Sequence, residues 1–174
     1  MFRSDLAGAV ARKIVEELRP VCDRIEIAGS LRRGKLEVHD VDLVLLPNCS
    51  HEEFLLDHST PLERLLTHMV ERGSLTSVRG RGKVQCFVAT KTGIPIDLYI
   101  ARPDTWATLL LIRTGSKEHN IRLAQRAREL GMKLHASGEG VEDIHGNSLR
   151  VNVEEDVFRI LGLVYLSPKD RTWS

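Results

Sequence analysis

Apolar positions along this 174-residue chain repeat at two spacings, and the switches between them mark its elements. Near the N-terminus Leu6, Val10, Ile14 and Leu18 recur every fourth residue, which predicts a helix capped by Ser4 and closed before Pro20. Residues 25 to 29, Ile-Glu-Ile-Ala-Gly, alternate as a strand running into a glycine turn. Asp40 to Leu46 reads as a second strand, bounded by Pro47 and Asn48. A helical stretch carrying Phe54, Leu55, Leu62, Leu65, Leu66 and Met69 follows, broken near Pro61 and ended by Gly73. Leu75 to Val78 and Val84 to Ala89 read as a hairpin around Arg79-Gly80-Arg81-Gly82-Lys83, and Ile94 to Ile100 as a further strand. Residues 104 to 113 form a helix interrupted at Thr114-Gly115-Ser116, and Lys117 to Leu130 form another that ends at Gly131. Leu134 to Val153 then give short strands with a turn at His145-Gly146-Asn147, followed by a short helix over Glu154 to Leu161.

This order predicts an α+β fold: a mixed β-sheet with helices on one side, followed by a small α/β subdomain. The boundary is expected between Thr114 and Lys117, giving domains 1–114 and 115–174. Neither an internal repeat nor a low-complexity segment interrupts it. At 42% hydrophobic and 28% charged residues the composition is that of a globular chain. No apolar run approaches the roughly 18 residues of a membrane span. The start, MFRSDLAGAV, lacks the basic opening and apolar stretch of a signal peptide. A cytoplasmic monomer without a membrane partner is expected, nucleoid-associated if the source is prokaryotic. Cys22, Cys49 and Cys86 include no CxxC pair, which excludes a disulfide framework and a zinc ribbon on spacing. A net charge of +1 carries no global signature of a nucleic-acid binder, so such a role rests on local clusters. Two stand out: residues 79 to 83, and the run Arg113, Lys117, Arg122, Arg126 and Arg128.

The chemistry concentrates in Ala28 to Asp42, AGSLRRGKLEVHDVD. In a strand, residues i and i+2 share a face, so Asp40 and Asp42 present two carboxylates while Val41 and Leu43 point to the core. Like charges that close both stay ionised only around a cation, and hard oxygen ligands suit Mg²⁺ or Mn²⁺. A DxD alone also describes a solvated strand face. Asp97 strengthens the metal reading, because it interrupts the apolar alternation Ile94, Ile96, Leu98, Ile100. If its strand pairs beside the first, three carboxylates converge. Gly29 and Ser30 leave the preceding strand in a short helical turn whose N–H groups and hydroxyl suit phosphate oxygens. Arg32 and Arg33 follow, and one of them can reach a phosphate with its planar fork.

Gly-Ser-x-Arg-Arg-Gly, then Asp-x-Asp, then a lone Asp on a later strand resembles the polymerase-β-like nucleotidyltransferase superfamily. Thr114-Gly115-Ser116-Lys117-Glu118-His119-Asn120 resembles the T-G-S-x-x-x-N motif of family X DNA polymerases. Glu154-Glu155-Asp156-Val157-Phe158 through Tyr165, Pro168, Lys169 and Arg171 resembles the end of that family's thumb. The resemblance covers palm and thumb. It implies two ions, Mg²⁺ or Mn²⁺, held by Asp40, Asp42 and Asp97, with Asp97 helping to accept the primer hydroxyl proton. It implies that Gly29, Ser30 and Arg33 hold the triphosphate and that Gly115 and Ser116 adjoin the incoming sugar and base. Lys117 would lie over that base and Asn120 at its minor-groove edge. Arg81 and Lys83 are expected on primer phosphates, and Arg122 and Arg126 on the template side.

Three departures sharpen the expected activity. Ile112-Arg113 replaces an aromatic pair that crowds the sugar 2′ position in many members, so weakened exclusion of ribonucleotides is expected. Ala124 stands where an arginine often touches the template, which implies modest fidelity. Nothing corresponds to the family's N-terminal domains, so no deoxyribose-phosphate lyase activity is expected, and a ligase or end-joining partner is expected to help grip DNA. The leading reading is a DNA polymerase that adds dNTP, and rNTP as well, to a primer-template, a gap or a broken end. The alternatives are a minimal nucleotidyltransferase acting on RNA, protein or a small molecule, and a catalytically inert DNA- or nucleotide-binding module.

Overall fold

The computed structural model describes residues 1–48, 60–78 and 84–171. Phe54, Leu55, Cys49 and the stretch holding Arg81 and Lys83 lie outside the described residues. The chain divides into two compact units: Met1–Ile27 with Leu36–Ile100, and Ala28–Lys35 with Ala101–Ser174.

In the first unit, β1 (Phe2–Arg3) pairs antiparallel with β3 (Glu37–Val38), two short strands that the apolar pattern did not announce. Between them in sequence come α1 (Ser4–Leu18) and β2 (Cys22–Ile27). Ser4 is the first helical residue rather than the cap, because its N–H donates to the Leu36 carbonyl at 2.9 Å. The buried stripe of α1 is Ala7, Ala11, Ile14 and Leu18, whereas Leu6 is 45% exposed. A strict spacing of four overshoots a helical turn by about 40° per step, so it drifts off one face within a few turns. The observed spacing of four, three and four stays on it.

The principal sheet has five strands in the order β2-β4-β7-β6-β5, with β4 at Val41–Pro47, β5 at Leu75–Val78, β6 at Val84–Ala89 and β7 at Ile94–Ile100. Among the described residues of this sheet only β4 and β7 run parallel, a pairing that requires the long crossover between them. Part of that crossover is α3 (Pro61–Glu71), which buries Leu62, Leu66 and Met69. Its start is a reciprocal cap: the Glu63 N–H donates to the Thr60 hydroxyl at 3.2 Å, and the Thr60 N–H to the Glu63 carboxylate at 2.8 Å. Val41, Leu43, Val44 and Leu45 are fully buried, so β4 is the spine of this core.

The second unit contains α2 (Gly29–Arg32), α4 (Trp106–Thr114), α5 (Lys117–Glu129) and α6 (Glu154–Ile160). Three short strands, β8 (Lys133–Leu134), β9 (Val141–Glu142) and β10 (Ser148–Leu149), form an antiparallel sheet in the order β10-β9-β8. Every residue of α4 except Arg113 is buried, which matches its nearly uninterrupted apolar sequence. The α+β expectation holds: a mixed sheet with helices, followed by a small α/β region.

Candidate active site

The register of β4 against β7 sets Asp42 opposite Asp97. Parallel neighbours about 5 Å apart send paired side chains to the same face, so the two half-buried carboxylates emerge side by side. The alternation that buries Ile94, Ile96 and Leu98 turns Asp97 the other way. Asp40, also half-buried, lies one residue before β4 begins, so strand geometry does not dictate its direction as it does for Asp42. Two further groups share the Asp97 face. Cys86 is opposite Asp97 on β6, and the Tyr99 hydroxyl approaches the Asp97 carboxylate at 3.5 Å. Among the described residues no three His, Cys, Asp or Glu side chains are grouped so that they could hold a metal ion together. The enforced feature is a carboxylate pair on two adjacent strands. Such a donor set suits an octahedral ion that fills its remaining positions with water and phosphate oxygens.

The remaining candidate residues belong to the second unit. Gly29 has φ 59°, a left-handed conformation open to glycine, and starts α2 directly after the β2 segment ends. The turn is closed by N–H bonds from Arg33 to the Gly29 carbonyl at 3.2 Å and from Lys35 to the Ser30 carbonyl at 3.1 Å. The Arg33 guanidinium donates to the Thr114 carbonyl and lies against Gly115, where a Cβ would stand 3.1 Å from its Nη1. The phosphate-type turn and the Thr-Gly-Ser motif, about 80 residues apart, are thereby joined within one unit. Gly115 (φ 71°) and Ser116 are linked by a cis peptide.

The Ser116 hydroxyl caps α5 by accepting the His119 N–H at 3.3 Å. Lys117 is exposed at the first turn of that helix. The Asn120 amide donates to the Ile112 carbonyl at 2.8 Å. Ile112 is 8% exposed, and Arg113 reaches the Ser137 carbonyl at 3.5 Å. Arg122 is exposed, whereas Arg126 donates to the Leu161 carbonyl at 3.1 Å and to Glu129 at 3.0 Å.

One constellation went unread in the sequence. Arg32 grips Glu154 through two bonds of 2.8 and 2.7 Å and donates to the Thr114 hydroxyl at 2.7 Å. Arg171, 0% exposed, donates to the same carboxylate at 2.9 Å. Its guanidinium stands 5.6 Å from the ring centroids of both Phe158 and Tyr165. Burial acts to raise the pKa of Glu154, but the Arg32 bond and the Arg171 charge outweigh it and hold the carboxyl below its ordinary value. Glu-Glu-Asp at a helix start reads only as a complement to the helix dipole, and no spacing rule links it to an arginine 122 residues away.

Beside this cluster lies His119, 2% exposed, with its ring 5.6 Å from that of Phe158. Burial, reinforced by the Arg171 charge, pushes its pKa from 6.5 down to about 4. The folded state therefore prefers the neutral ring. Its stabilisation is complete above pH 6.5 and is lost as the pH falls towards 4, a loss of about 3 kcal/mol. Glu154, whose pKa is also lowered, loses stability in the same direction at still lower pH. Urea unfolding midpoints should thus fall steadily from pH 7 to pH 4, and His119→Phe should flatten the upper part of that decline. A decline of equal steepness in His119→Phe would refute this.

A five-stranded mixed sheet with Asp42 opposite Asp97 on its parallel strands, followed in the chain by a small α/β region, is the arrangement of a palm and thumb. Residues 109–172 match the DNA polymerase beta thumb. The chain is 27% identical over 173 residues to the DNA polymerase/3'-5' exonuclease PolX of Bacillus subtilis, an alignment covering 98% of this chain and 28% of that protein. It is 30% identical over 165 residues to DNA polymerase lambda of Rattus norvegicus, covering 83% of this chain and 28% of that protein. Against DNA polymerase lambda of Arabidopsis thaliana it is 24% identical over 201 residues, covering 98% and 38%. The chain is similar to the family X DNA polymerases over its palm and thumb, and it spans 28 to 38% of the length of these relatives.

Proposed function

We propose that the chain is a metal-dependent DNA polymerase that adds nucleotides to a primer 3′ hydroxyl, filling short gaps or joining ends, with ribonucleotides accepted as well. The pairing of Asp42 with Asp97 across parallel strands carries this reading, because it holds two carboxylates on one face where a divalent ion offsets their repulsion. Palm residues 1–114 would supply Asp40, Asp42 and Asp97 as metal ligands, and thumb residues 115–174 the grip on base and template. When bound, Mg²⁺ or Mn²⁺ would lower the pKa of the attacking hydroxyl and offset the charge of the leaving pyrophosphate.

The protein's own groups do the rest. Asp97 accepts the hydroxyl proton, and the primer oxygen then bonds to the α-phosphorus as the bond to pyrophosphate breaks. Gly29, Ser30 and Arg33 hold the triphosphate, which suits the N–H groups of the α2 turn and the planar fork of Arg33. Gly115, Ser116, Lys117 and Asn120 line the incoming sugar and base. Arg81, Lys83, Arg122 and Arg126 contact DNA phosphates, and a ligase or end-joining factor adds to that grip. A cytoplasmic or nucleoid setting follows from the DNA substrate, and no helix among the described residues is long and apolar enough to cross a membrane.

Ile112 and Arg113 bring no aromatic ring against the sugar, so rNTP should be inserted at a rate within about tenfold of dNTP, a difference of about 1.4 kcal/mol. Extension of a labelled primer tests the whole reading. It should be run on gapped, recessed and untemplated ends, with Mg²⁺ or Mn²⁺ and with dNTP or rNTP. Failure to extend any of these substrates would overturn the proposal. Strict dNTP preference would overturn the sugar assignment alone.

A further inference from the structure

We infer that Tyr99 is a positioning residue for the Asp97 carboxylate, fixing which of its oxygens faces a bound metal. The inference rests on the metal-site reading above and adds a residue to it. Tyr99 lies two positions beyond Asp97 on β7, so both side chains rise from the same face of the strand. The Tyr99 hydroxyl reaches Asp97 Oδ2 at 3.5 Å. That is the outer limit of a hydrogen bond, so the contact adds little to folding stability. Its value is directional. The backbone of Tyr99 is fixed by pairing to Val44 on one side and to Val84 on the other, and Val44 is fully buried on the shared face.

The chemistry of a metal-binding carboxylate explains why such a neighbour matters. An aspartate that rotates freely spends part of its time with the wrong oxygen forward, and hydrogen bonds from outside the ligand set remove that freedom. A phenol donates this bond without adding positive charge. It therefore orients Asp97 without competing with the metal electrostatically, as a lysine or arginine at the same place would. Cys86, on the opposite flank of Asp97, is a weak donor and a poor substitute for that task.

The test is Mn²⁺ binding to the whole chain, followed by the loss of the free-ion electron paramagnetic signal, for the wild type, Tyr99→Phe and Asp97→Asn. Loss of an outer hydrogen-bond partner typically weakens a metal site by about 10- to 100-fold. With so long a bond, Tyr99→Phe should fall at the low end, about tenfold, with an unchanged urea midpoint. Its primer-extension rate should drop by a similar factor at limiting metal and return in excess Mn²⁺, with the nucleotide KM unaltered. If Asp97→Asn weakens Mn²⁺ binding and Tyr99→Phe binds as the wild type does, the Tyr99 assignment is wrong and the metal site stands. If Asp97→Asn also binds as the wild type does, the metal-site reading falls and the assignment with it.

Discussion

Asp97→Ala should lower primer extension by at least about a thousandfold while leaving DNA binding almost unchanged. A carboxylate that holds a catalytic ion governs several kcal/mol of transition-state stabilisation, and about 4 kcal/mol is a thousandfold in rate. DNA affinity, in contrast, comes chiefly from lysines and arginines on phosphates, none of which is altered. The variant should also fold normally, because Asp97 is half-buried on the face of β7 opposite Ile96 and Leu98, which carry core contacts. Asp42→Ala should behave alike, since the β4–β7 register makes the two residues neighbours. The measurement is single-turnover extension beside a filter-binding or anisotropy assay on the same gapped DNA. Extension within about tenfold of the wild type would mean that Asp97 is an ordinary strand-face acid and that the proposed chemistry is wrong.

Side-chain directions set by backbone periodicity alone are the most legible in the sequence. Period two across Ile94 to Ile100 is enough to turn Asp97 away from Ile96 and Leu98, whatever the rest of the chain does. It could not say which strand would lie beside that one. The parallel partner of β7 is β4, more than fifty residues away, and only a completed sheet fixes that choice. The same limit hid β1 and β3, whose two-residue pairings are held by a backbone bond from Ser4 to Leu36 rather than by any apolar pattern. Arg32 and Arg33 show the limit at the level of single side chains. Adjacent and chemically identical, they are not told apart as phosphate ligands by chemistry alone, and only the family resemblance points to Arg33. Folding commits Arg32 to Glu154 and leaves Arg33 at the Thr114–Gly115 backbone, a division that depends on α6 coming to meet α2.

That commitment leads to the largest expected effect on stability. Glu154→Ala should destabilise the second unit by about 3–5 kcal/mol, because removing one partner of a buried ion pair leaves the other charge uncompensated. Arg171 bears most of this cost, since it is 0% exposed and has Phe158 and Tyr165 beside it rather than water. Arg32 bears less, because 22% of its side chain is exposed and it keeps the Thr114 hydroxyl. The asymmetry makes a sharper test possible. Glu154→Leu combined with Arg171→Leu removes the acid together with its most deeply buried base, so the double variant should be more stable than Glu154→Ala despite carrying two changes. Urea unfolding of the wild type, the single variant and the double variant reads the comparison directly. If the single variant costs less than about 1 kcal/mol, the guanidiniums find water when Glu154 is lost, and the cluster is not a buried anchor. If the cost is as large as expected, the α2 turn owes its place to Glu154 as much as to its own glycine. The nucleotide binding proposed for Ser30 and Arg33 should then weaken in Glu154→Ala even at temperatures where the chain remains folded.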